Sequence, residues 1–291
     1  FKKVLLSTQT SDASKSLSGI QTTASGSVQV NVASDLSIGQ AVSVAGTLTL
    51  NVTNLLTVSA TVNASATVTV QADTASVQSV LSSSNGSLLV HTDALLDVGT
   101  TSGVTGTLRS LNGSMRLASG AGMSLKKNSL IDAGNLGLSL DATGALSMLG
   151  MVSATGSVDV LSQSSIAMVP TIGSITEGTI NAGGSVLVQA SGDITLGAIT
   201  ANTGTVALIA ATGSNIIDGD TTTDVTASAL YLQAAAAVGL STDALDTDVT
   251  TLALSAGSAY VLESSALNVD TVTVSVNRVA TSGSTTVVST T

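Results

Sequence analysis

Apolar and polar residues alternate in short runs along most of this chain. A representative stretch, residues 26–39, reads GSVQVNVASDLSIG, and its large apolar side chains are Val28, Val30, Val32, Leu36 and Ile38. Alternation with a period of two is typical of strands that bury one face. The small or turn-forming pairs Ser34-Asp35 and Gly39-Gln40 interrupt the runs. The pattern therefore predicts short strands joined by tight corners.

The same pattern recurs along the chain. From Gly26 it returns at Gly46, Ala66 and Gly86, a step of twenty residues each time. Less regular copies begin at Gly113, Gly134, Gly156, Gly184, Gly204, Ser228, Thr251 and Asp270. Persistent repeats of this length indicate a solenoid, so we expect an all-β parallel β-helix with three short strands per coil of about 20–22 residues. No linker divides the chain, which predicts one continuous β-solenoid over residues 1–291.

Composition agrees with an ordered body and narrows the function. The chain is 43% hydrophobic but only 9% charged and 1% aromatic, and it contains no cysteine. Its net charge of −10 argues against nucleic acid as a partner, because phosphate binding needs clustered Lys and Arg. Mean hydropathy is +0.52, yet polar residues interrupt every apolar run, so we expect no transmembrane helix.

One set of outward-pointing polar residues recurs at the same repeat position: Asn31, Asn51, Gln71 and His91. Parallel, in-register stacking would place them one above the other. Amide side chains stacked in this way hydrogen-bond along the axis of the stack. We therefore predict a structural polar ladder, with a plain solvated face as the alternative.

Acidic residues cluster in two consecutive repeats. Residues 217–226 and 241–249 supply Asp218, Asp220, Asp224, Asp243, Asp246 and Asp248. Stacked coils would bring two acidic corners close together, and hard oxygen ligands suit Ca²⁺. The residues are weak candidates for a calcium site, and a solvated acidic loop is the alternative. No other cofactor is indicated.

Catalytic residues are not apparent. His91 is the one histidine of the chain, and no nucleophile elbow accompanies it. A polysaccharide-degrading β-helix would need carboxylates and basic residues in a groove. Arg109, Arg116, Lys126 and Lys127 do lie in adjacent repeats, but a lightly charged shaft explains them equally well. We expect no enzymatic activity.

The repeat also resembles a known family. The stretch GSVLVQASGDITLG, residues 184–197, is similar to the filamentous-haemagglutinin-like repeats of giant bacterial exoproteins. Residues 240–261 look like a degenerate unit of those proteins, although Ala244 replaces their usual proline. The N-P-N-L segment of their secretion module is absent. The resemblance implies a right-handed β-helix, secretion to the extracellular space or bacterial cell surface, and a role in adhesion or surface structure. The first residues lack a signal peptide, so we expect a mature product or a fragment of a longer secreted chain.

Three functions follow as hypotheses. The first is a structural shaft that forms or extends a surface appendage and associates end to end or side by side. The second is an adhesive module that binds a host, cell or matrix ligand through irregular coils near residues 108–112, 169–183 and 217–226. A polysaccharide-acting enzyme is the weakest. Lys2, Lys3 and Lys15 near one end, and Arg278 near the other, are interpreted either as charges that discourage pairing of open strand edges or as ordinary terminal charges. If the ends stack on each other, those edges become a polymerisation surface instead.

Overall fold

The fold was analysed in a computed structural model, which describes residues 3–7, 15–17, 19–23, 25–169, 178–211 and 213–291. In these residues all regular structure is β-strand. The strands pair in parallel and stack as a β-solenoid of about ten turns. The predicted all-β parallel β-helix is therefore confirmed.

The strands of the N-terminal half are β1 (Lys3–Ser7), β2 (Lys15–Leu17), β3 (Ser27–Val32), β4 (Leu36–Ile38), β5 (Val42–Val44), β6 (Leu48–Val52), β7 (Leu55–Val58), β8 (Val62–Ala64), β9 (Val68–Ala72), β10 (Thr74–Val77), β11 (Val80–Ser83), β12 (Leu88–Thr92), β13 (Leu95–Val98), β14 (Thr107–Ser110), β15 (Met115–Ser119), β16 (Gly122–Leu125) and β17 (Leu130–Ala133). Those of the C-terminal half are β18 (Leu138–Ala142), β19 (Leu146–Met148), β20 (Met151–Ala154), β21 (Val158–Ser162), β22 (Ile166–Ala167), β23 (Thr179–Ala182), β24 (Val186–Ala190), β25 (Ile194–Thr195), β26 (Ala198–Ala210), β27 (Ile216–Ile217), β28 (Val225–Val238), β29 (Leu245–Ala259), β30 (Val261–Glu263), β31 (Asn268–Val269), β32 (Val274–Val279) and β33 (Thr285–Thr290).

Each turn contributes one strand to each of three parallel ladders. The first ladder begins β1, β3, β6, β9, and the second begins β2, β4, β7, β10. The third begins β5, β8, β11. The long strands β26, β28 and β29 bend at the corners and take part in more than one ladder. The register places the same repeat position of successive turns in line, as the repeat predicts.

The core is a column of aliphatic side chains inside the three ladders. In β6, Leu48, Leu50 and Val52 are buried while Thr49 and Asn51 point outward. Each buried side chain stacks on its equivalent in the next turn, for example Val28 on Leu48. Because a single turn cannot cover its own apolar residues, each turn depends on its neighbours for stability.

The recurring glycine at the start of the repeat has a steric cause. A Cβ atom on Gly46 would lie 2.5 Å from the carbonyl oxygen of Gly26, one turn below. A Cβ atom on Gly113 would lie even closer to the carbonyl oxygen of Gly86. Real Cβ atoms do not tolerate such contacts, so glycine is favoured at this corner where turns approach most closely, although Ala66 occupies it in one turn.

The last predicted repeat copy, which begins at Asp270, does not form a coil. Residues 274–290 form an antiparallel hairpin of β32 and β33, here called the C-terminal hairpin. Its turn contains Gly283 with φ of +84°, a conformation that favours glycine. The alternation in residues 270–280 indicated a strand correctly, but the Ser-Gly turn after it reverses the chain instead of continuing the stack.

Two of the irregular coils agree with expectation only in part. In residues 108–112 the chain stays in the stack as far as the buried Ser110 of β14, and Leu111 and Asn112 form an exposed corner. The extra residues of that repeat form an exposed loop over residues 101–105. In residues 217–226 Asp218, Asp220 and Asp224 are buried, whereas residues 221–223 between them are exposed. Most of the third irregular segment, residues 170–177, lies outside the described residues.

Candidate functional site

The outward-pointing residues of the first ladder form the surface with the most varied chemistry, here called the outer face. The register places the predicted polar ladder there, with Asn31 beside Asn51, Asn51 beside Gln71, and Gln71 beside His91. The Asn51 Nδ2 atom donates a hydrogen bond of 2.7 Å to Asn31 Oδ1. Gln29 Nε2 donates to the same oxygen at 3.2 Å.

Beyond Asn31 and Asn51, the side chains of the polar ladder hydrogen-bond to a different partner. Gln71 Nε2 lies 3.2 Å from Asp93 Oδ1, and His91 Nε2 lies 3.1 Å from the same oxygen. Asp93 lies at the corner that follows β12, so it draws both side chains sideways. The next residue in line after His91 is Ala118, which ends the run of polar side chains. The structural role of the four residues stays a prediction, and the repeat pattern did not include Asp93 in the ladder because it lies at a corner.

A row of hydroxyl groups runs beside the polar ladder, one residue before the first core position of most first-ladder strands. Its members, here called the hydroxyl row, are Ser27, Thr47, Thr67, Ser87, Ser114, Ser157, Ser185 and Thr205. Gly137 interrupts the row between Ser114 and Ser157. Three adjacent pairs hydrogen-bond: Thr47 donates to Ser27 at 2.7 Å, Ser87 lies 2.8 Å from Ser114, and Ser185 lies 3.0 Å from Thr205.

The C-terminal hairpin covers the C-terminal part of the outer face. Val272, Val274 and Val276 pack on Leu187 and Ala207 as a second hydrophobic cluster. The partly buried residues around this cluster are Ile209, Ala229, Tyr231, Ala253 and Val288. Apolar residues at these outward positions break the alternation of the repeat, and this was the available sequence signal that something covers them.

Polar contacts fix the position of the hairpin along the solenoid. Arg278 binds the buried Asp159 through two nitrogens, with Nε to Oδ2 at 2.7 Å and Nη2 to Oδ1 at 3.0 Å. The backbone N–H of Asn277 donates to Ser157 Oγ, and that of Val279 donates to Ser139 Oγ, both at 2.8 Å. Hydrogen bonding to Asp159 raises the pKa of Arg278 above its usual range. The sequence indicated Arg278 only as a charge near the strand edges at one end of the solenoid. In the structure, Arg278 instead forms a bidentate ion pair that holds the hairpin to Asp159.

Three shallow depressions run along the outer face from Asn31 to Asp159. Their volumes are about 390, 260 and 290 Å³. Gln71 lines the first two, and Arg116 and the hairpin residue Thr281 line the last two. At ~4.8 Å per turn they form one trough about 30 Å long, which the hairpin borders on its C-terminal side.

The basic residues that the sequence placed in adjacent repeats form ion pairs, mostly across turns. Arg109 pairs with Asp132 at 2.8 Å, Arg116 with Asp141 at 2.6 Å, and Lys126 with Asp97 at 3.5 Å. Each of these cations is therefore neutralised by a carboxylate.

The predicted acidic residues separate into a buried and an exposed group. Asp218, Asp220 and Asp224 lie under the surface, while Asp243 and Asp246 border them from the next turn and Asp248 is exposed on β29. Asp224 Oδ2 accepts the backbone N–H of Asp246 at 2.9 Å. Asp224 Oδ1 has no hydrogen-bond partner, although Asp224 is only 1% exposed.

Burial and mutual repulsion change the acidity of this corner. Burial, followed by the charge of Asp218, raises the pKa of Asp224 to about 9. Burial raises the pKa of Asp218 to about 6, with Asp243 adding to the effect. Within the described residues, no three such side chains come together in an arrangement that would hold a metal ion. Binding of Ca²⁺ stays a prediction.

Comparison of the chain with protein-family models, with curated proteins and with solved structures found no match. In the described part of the chain, no helix has the length and hydropathy needed to cross a bilayer. Fold and surfaces together define the class of this protein: a parallel β-solenoid repeat protein with a hairpin docked along one outer face. The similarity to filamentous-haemagglutinin-like repeats stays an expectation drawn from the repeat motifs.

Proposed function

We propose that this protein is a non-enzymatic β-helical shaft that forms or extends an extracellular surface appendage of a bacterial cell. One observation carries the proposal: the register of the first ladder is maintained from β1 to β31, with a continuous aliphatic core beneath it. Parallel ladders transmit force through backbone hydrogen bonds and stacked side chains in every turn. Extended, repetitive bodies of this kind serve as spacers and present surfaces.

The chemistry of the side chains supports a structural role over catalysis. His91 is half exposed and contacts Asp93, with no serine or other nucleophile hydrogen-bonded to the ring in the described residues. The arginines that line the trough, Arg116 and Arg278, are engaged by Asp141 and Asp159. Extracellular placement rests on the resemblance of the repeats.

Immunoelectron microscopy of intact cells that make the protein tests this function. We expect label along thin surface projections, and loss of those projections when the gene is deleted. Label confined to the cell interior would contradict the proposal. Assays of the purified protein on acidic and neutral polysaccharides form the second arm, and turnover of any of them would overturn the non-enzymatic assignment.

An adhesive module is the second candidate, and the trough on the outer face favours it. The trough is lined by amide, hydroxyl and charged groups from Asn31 to Arg116, and the loop of residues 101–105 is exposed. A Gln71→Ala, Arg116→Ala double variant should weaken attachment of the protein to host cells or matrix if this surface binds a ligand. If attachment stays unchanged even when residues 101–105 are deleted from this double variant, adhesion through these surfaces is contradicted.

A bound Ca²⁺ at the acidic corner would stabilise the solenoid, whether it serves as a structural shaft or as an adhesive module. Calorimetric titration with CaCl₂, with MgCl₂ as the comparison, tests this proposal. Heat of binding and a rise in Tm for Ca²⁺, both lost in Asp224→Asn, would support a calcium site at this corner, where no three of the described carboxylates are grouped to hold a metal ion. No heat and no change in Tm would remove calcium from the account.

A further inference from the structure

A second stack of amide side chains lies at the corner that precedes the first ladder. The register of β12, β15 and β18 aligns three asparagines there, each three residues before the first paired residue of its strand. These corner asparagines are Asn85, Asn112 and Asn135, and all three are exposed. Asn85 and Asn112 are each followed by Gly-Ser, whereas Leu136 follows Asn135. The three therefore share one position in the fold but differ in the residue that comes next.

An asparagine that precedes a glycine can lose its side-chain amide without an enzyme. The backbone nitrogen of the glycine attacks the side-chain carbonyl carbon Cγ, and a bond forms between these two atoms. The bond from Cγ to Nδ2 breaks, and Nδ2 leaves as ammonia with the proton of the glycine N–H. Water then opens the cyclic imide to aspartate or isoaspartate. Glycine allows this attack because it has no Cβ atom to hinder the approach.

Asn85 has hydrogen bonds at both reacting groups. Asn112 Nδ2 donates to Asn85 Oδ1 at 3.2 Å, and this bond polarises the carbonyl and stabilises the negative charge that develops on its oxygen during attack. The Gly86 N–H donates to Ser83 Oγ at 3.2 Å, and this bond draws the proton away from the attacking nitrogen. Ser83 is 0% exposed, and its hydroxyl is held by the carbonyl oxygens of Ala66 at 2.8 Å and Gly86 at 2.7 Å. The fold therefore fixes both the donor and the acceptor that the reaction uses.

Asn112, one turn further along, is also followed by Gly-Ser but has different contacts. Its Nδ2 atom donates to the carbonyl oxygen of Ser84 at 2.9 Å as well as to Asn85. Bonds donated by the amide nitrogen push its electrons toward Cγ, so this carbon is a poorer target for attack. Among the described hydrogen bonds, none is donated to Asn112 Oδ1 and none comes from the Gly113 N–H. The contacts therefore favour reaction at Asn85 over Asn112.

We propose that Asn85 is a site of spontaneous deamidation in the folded protein, with Asn112 and Ser83 as its catalytic residues and water as the co-reactant. This covalent modification does not depend on the shaft function. The aspartate product keeps an acceptor for Asn112 Nδ2, and the bond becomes charge-assisted and about twice as strong. Isoaspartate would lengthen the backbone before Gly86, where even a Cβ atom would lie too close to the Thr67 nitrogen. Aspartate is therefore the product that the intact corner accommodates.

Peptide mapping by mass spectrometry tests the proposal, because deamidation adds about 1 Da to the peptide that carries it. Asn112 is an internal control in the same molecule, since both residues lie in the sequence Asn-Gly-Ser. In folded protein kept at mildly alkaline pH, we expect Asn85 to react about five-fold faster than Asn112, the factor that one hydrogen bond of about 1 kcal/mol supplies. In urea the two rates should be nearly equal. Equal rates in the folded protein, faster reaction at Asn112, or no reaction at Asn85 would overturn the proposal.

A matched pair of variants tests the role of Asn112. Asn112→Ala removes the donor to Asn85 Oδ1 and should slow deamidation of Asn85 about five-fold. Asn135→Ala is the control, because it removes the same kind of side chain one turn further along and leaves the contacts of Asn85 in place. Thermal unfolding followed by circular dichroism checks that both variants are folded. Deamidation of Asn85 at the same rate in both variants would show that Asn112 does not assist the reaction and would contradict the proposal.

Discussion

The contacts of each side chain on this solenoid depend on the residues that lie one turn above and one turn below it. Asn31 and Asn51 hydrogen-bond along the axis, whereas Gln71 and His91 turn toward Asp93. The repeat predicts the alignment of these four residues. It does not predict Asp93 as their shared partner, because that choice depends on the position of a corner side chain relative to two strands.

Removal of one amide from the polar ladder should have a small, measurable effect. Asn51→Asp replaces the Nδ2 donor that binds Asn31 Oδ1 with an acceptor, so we expect the free energy of unfolding to fall by about 0.5–1.5 kcal/mol. Asn54→Asp is the control, because Asn54 lies at an exposed corner. Urea denaturation followed by circular dichroism measures both. Equal losses in the two variants would show that the ladder contributes nothing specific.

Asp224 should make stability depend on pH. Its pKa rises from 3.8 to about 9 on folding, so between these values the folded state holds a proton that the unfolded chain releases. Stability from this group therefore falls as pH rises from about 4 to 9. Asp224→Asn keeps an acceptor for the Asp246 N–H and removes the titration. We expect the variant to be more stable than wild type at pH 8 by several kcal/mol, since each unit of pKa shift is worth about 1.4 kcal/mol, with the difference disappearing near pH 4.

Thermal unfolding of both proteins from pH 4 to 9 measures this effect. Asp218, with a pKa of about 6, adds a smaller slope in the same direction between pH 4 and 6. A wild-type Tm that rises steadily toward pH 9, or an Asp224→Asn variant with the same pH profile as wild type, would contradict the burial of an ionisable group at this corner.

Among the elements, the C-terminal hairpin differs most from the repeat. The hairpin contacts turns that are far from it in sequence, since Arg278 bonds to Asp159 and Val279 bonds to Ser139. The hairpin therefore links the stability of several turns that otherwise contact only their neighbours. Local alternation indicated strands here, but docking depends on contacts across more than one hundred residues, which periodicity alone does not encode.

Breaking the Arg278–Asp159 pair should destabilise the hairpin strongly. Arg278→Met leaves Asp159, which is buried, without its cation, and loss of one partner of a buried pair costs about 3–5 kcal/mol. Because the Arg278 side chain is 36% exposed, we expect the lower end of that range. Hydrogen exchange should quicken in β32, β33 and the strands beneath them.

Two further variants separate the ion pair from simple loss of a side chain. Arg278→Met with Asp159→Leu should recover most of the stability, because no buried charge is left unpaired. Arg109→Met removes a pair in which both side chains are partly exposed, at 40% and 32%, and should cost less than about 1 kcal/mol. If Arg278→Met and Arg109→Met have equal effects, the hairpin is not anchored by Asp159.

For the whole molecule, stability is distributed along a stack with unequal ends. Interior turns are covered on both sides, whereas Leu254 and Val269 of the last two turns are exposed. The sequence predicts the stack well, because alternation and the corner glycines are local features that recur in most turns. It predicts the buried acidic corner and the open end less well, because these depend on which turn has no neighbour and on how an irregular loop folds inward.

Equivalent core truncations should therefore differ by position. Leu50→Ala removes a leucine that is 0% exposed and should lower the free energy of unfolding by about 2–5 kcal/mol. Leu254→Ala truncates the partly exposed leucine at the open end and should cost less than about 1 kcal/mol in dilute, monomeric protein. Chemical denaturation at low protein concentration makes this comparison, and equal costs would mean that the end is covered.

The parallel, in-register stack underlies every proposal made for this protein, and intramolecular cysteine pairs along the hydroxyl row test it most directly. Ser27→Cys with Thr47→Cys places two thiols one turn apart, where the native hydroxyls hydrogen-bond at 2.7 Å. Ser27→Cys with Thr67→Cys spans two turns, about 9.6 Å between Cα atoms. The account predicts that mild oxidation forms an intramolecular disulfide in the first pair and leaves both thiols free in the second. Free thiols in the first pair, or equal oxidation of both pairs, would contradict the stack.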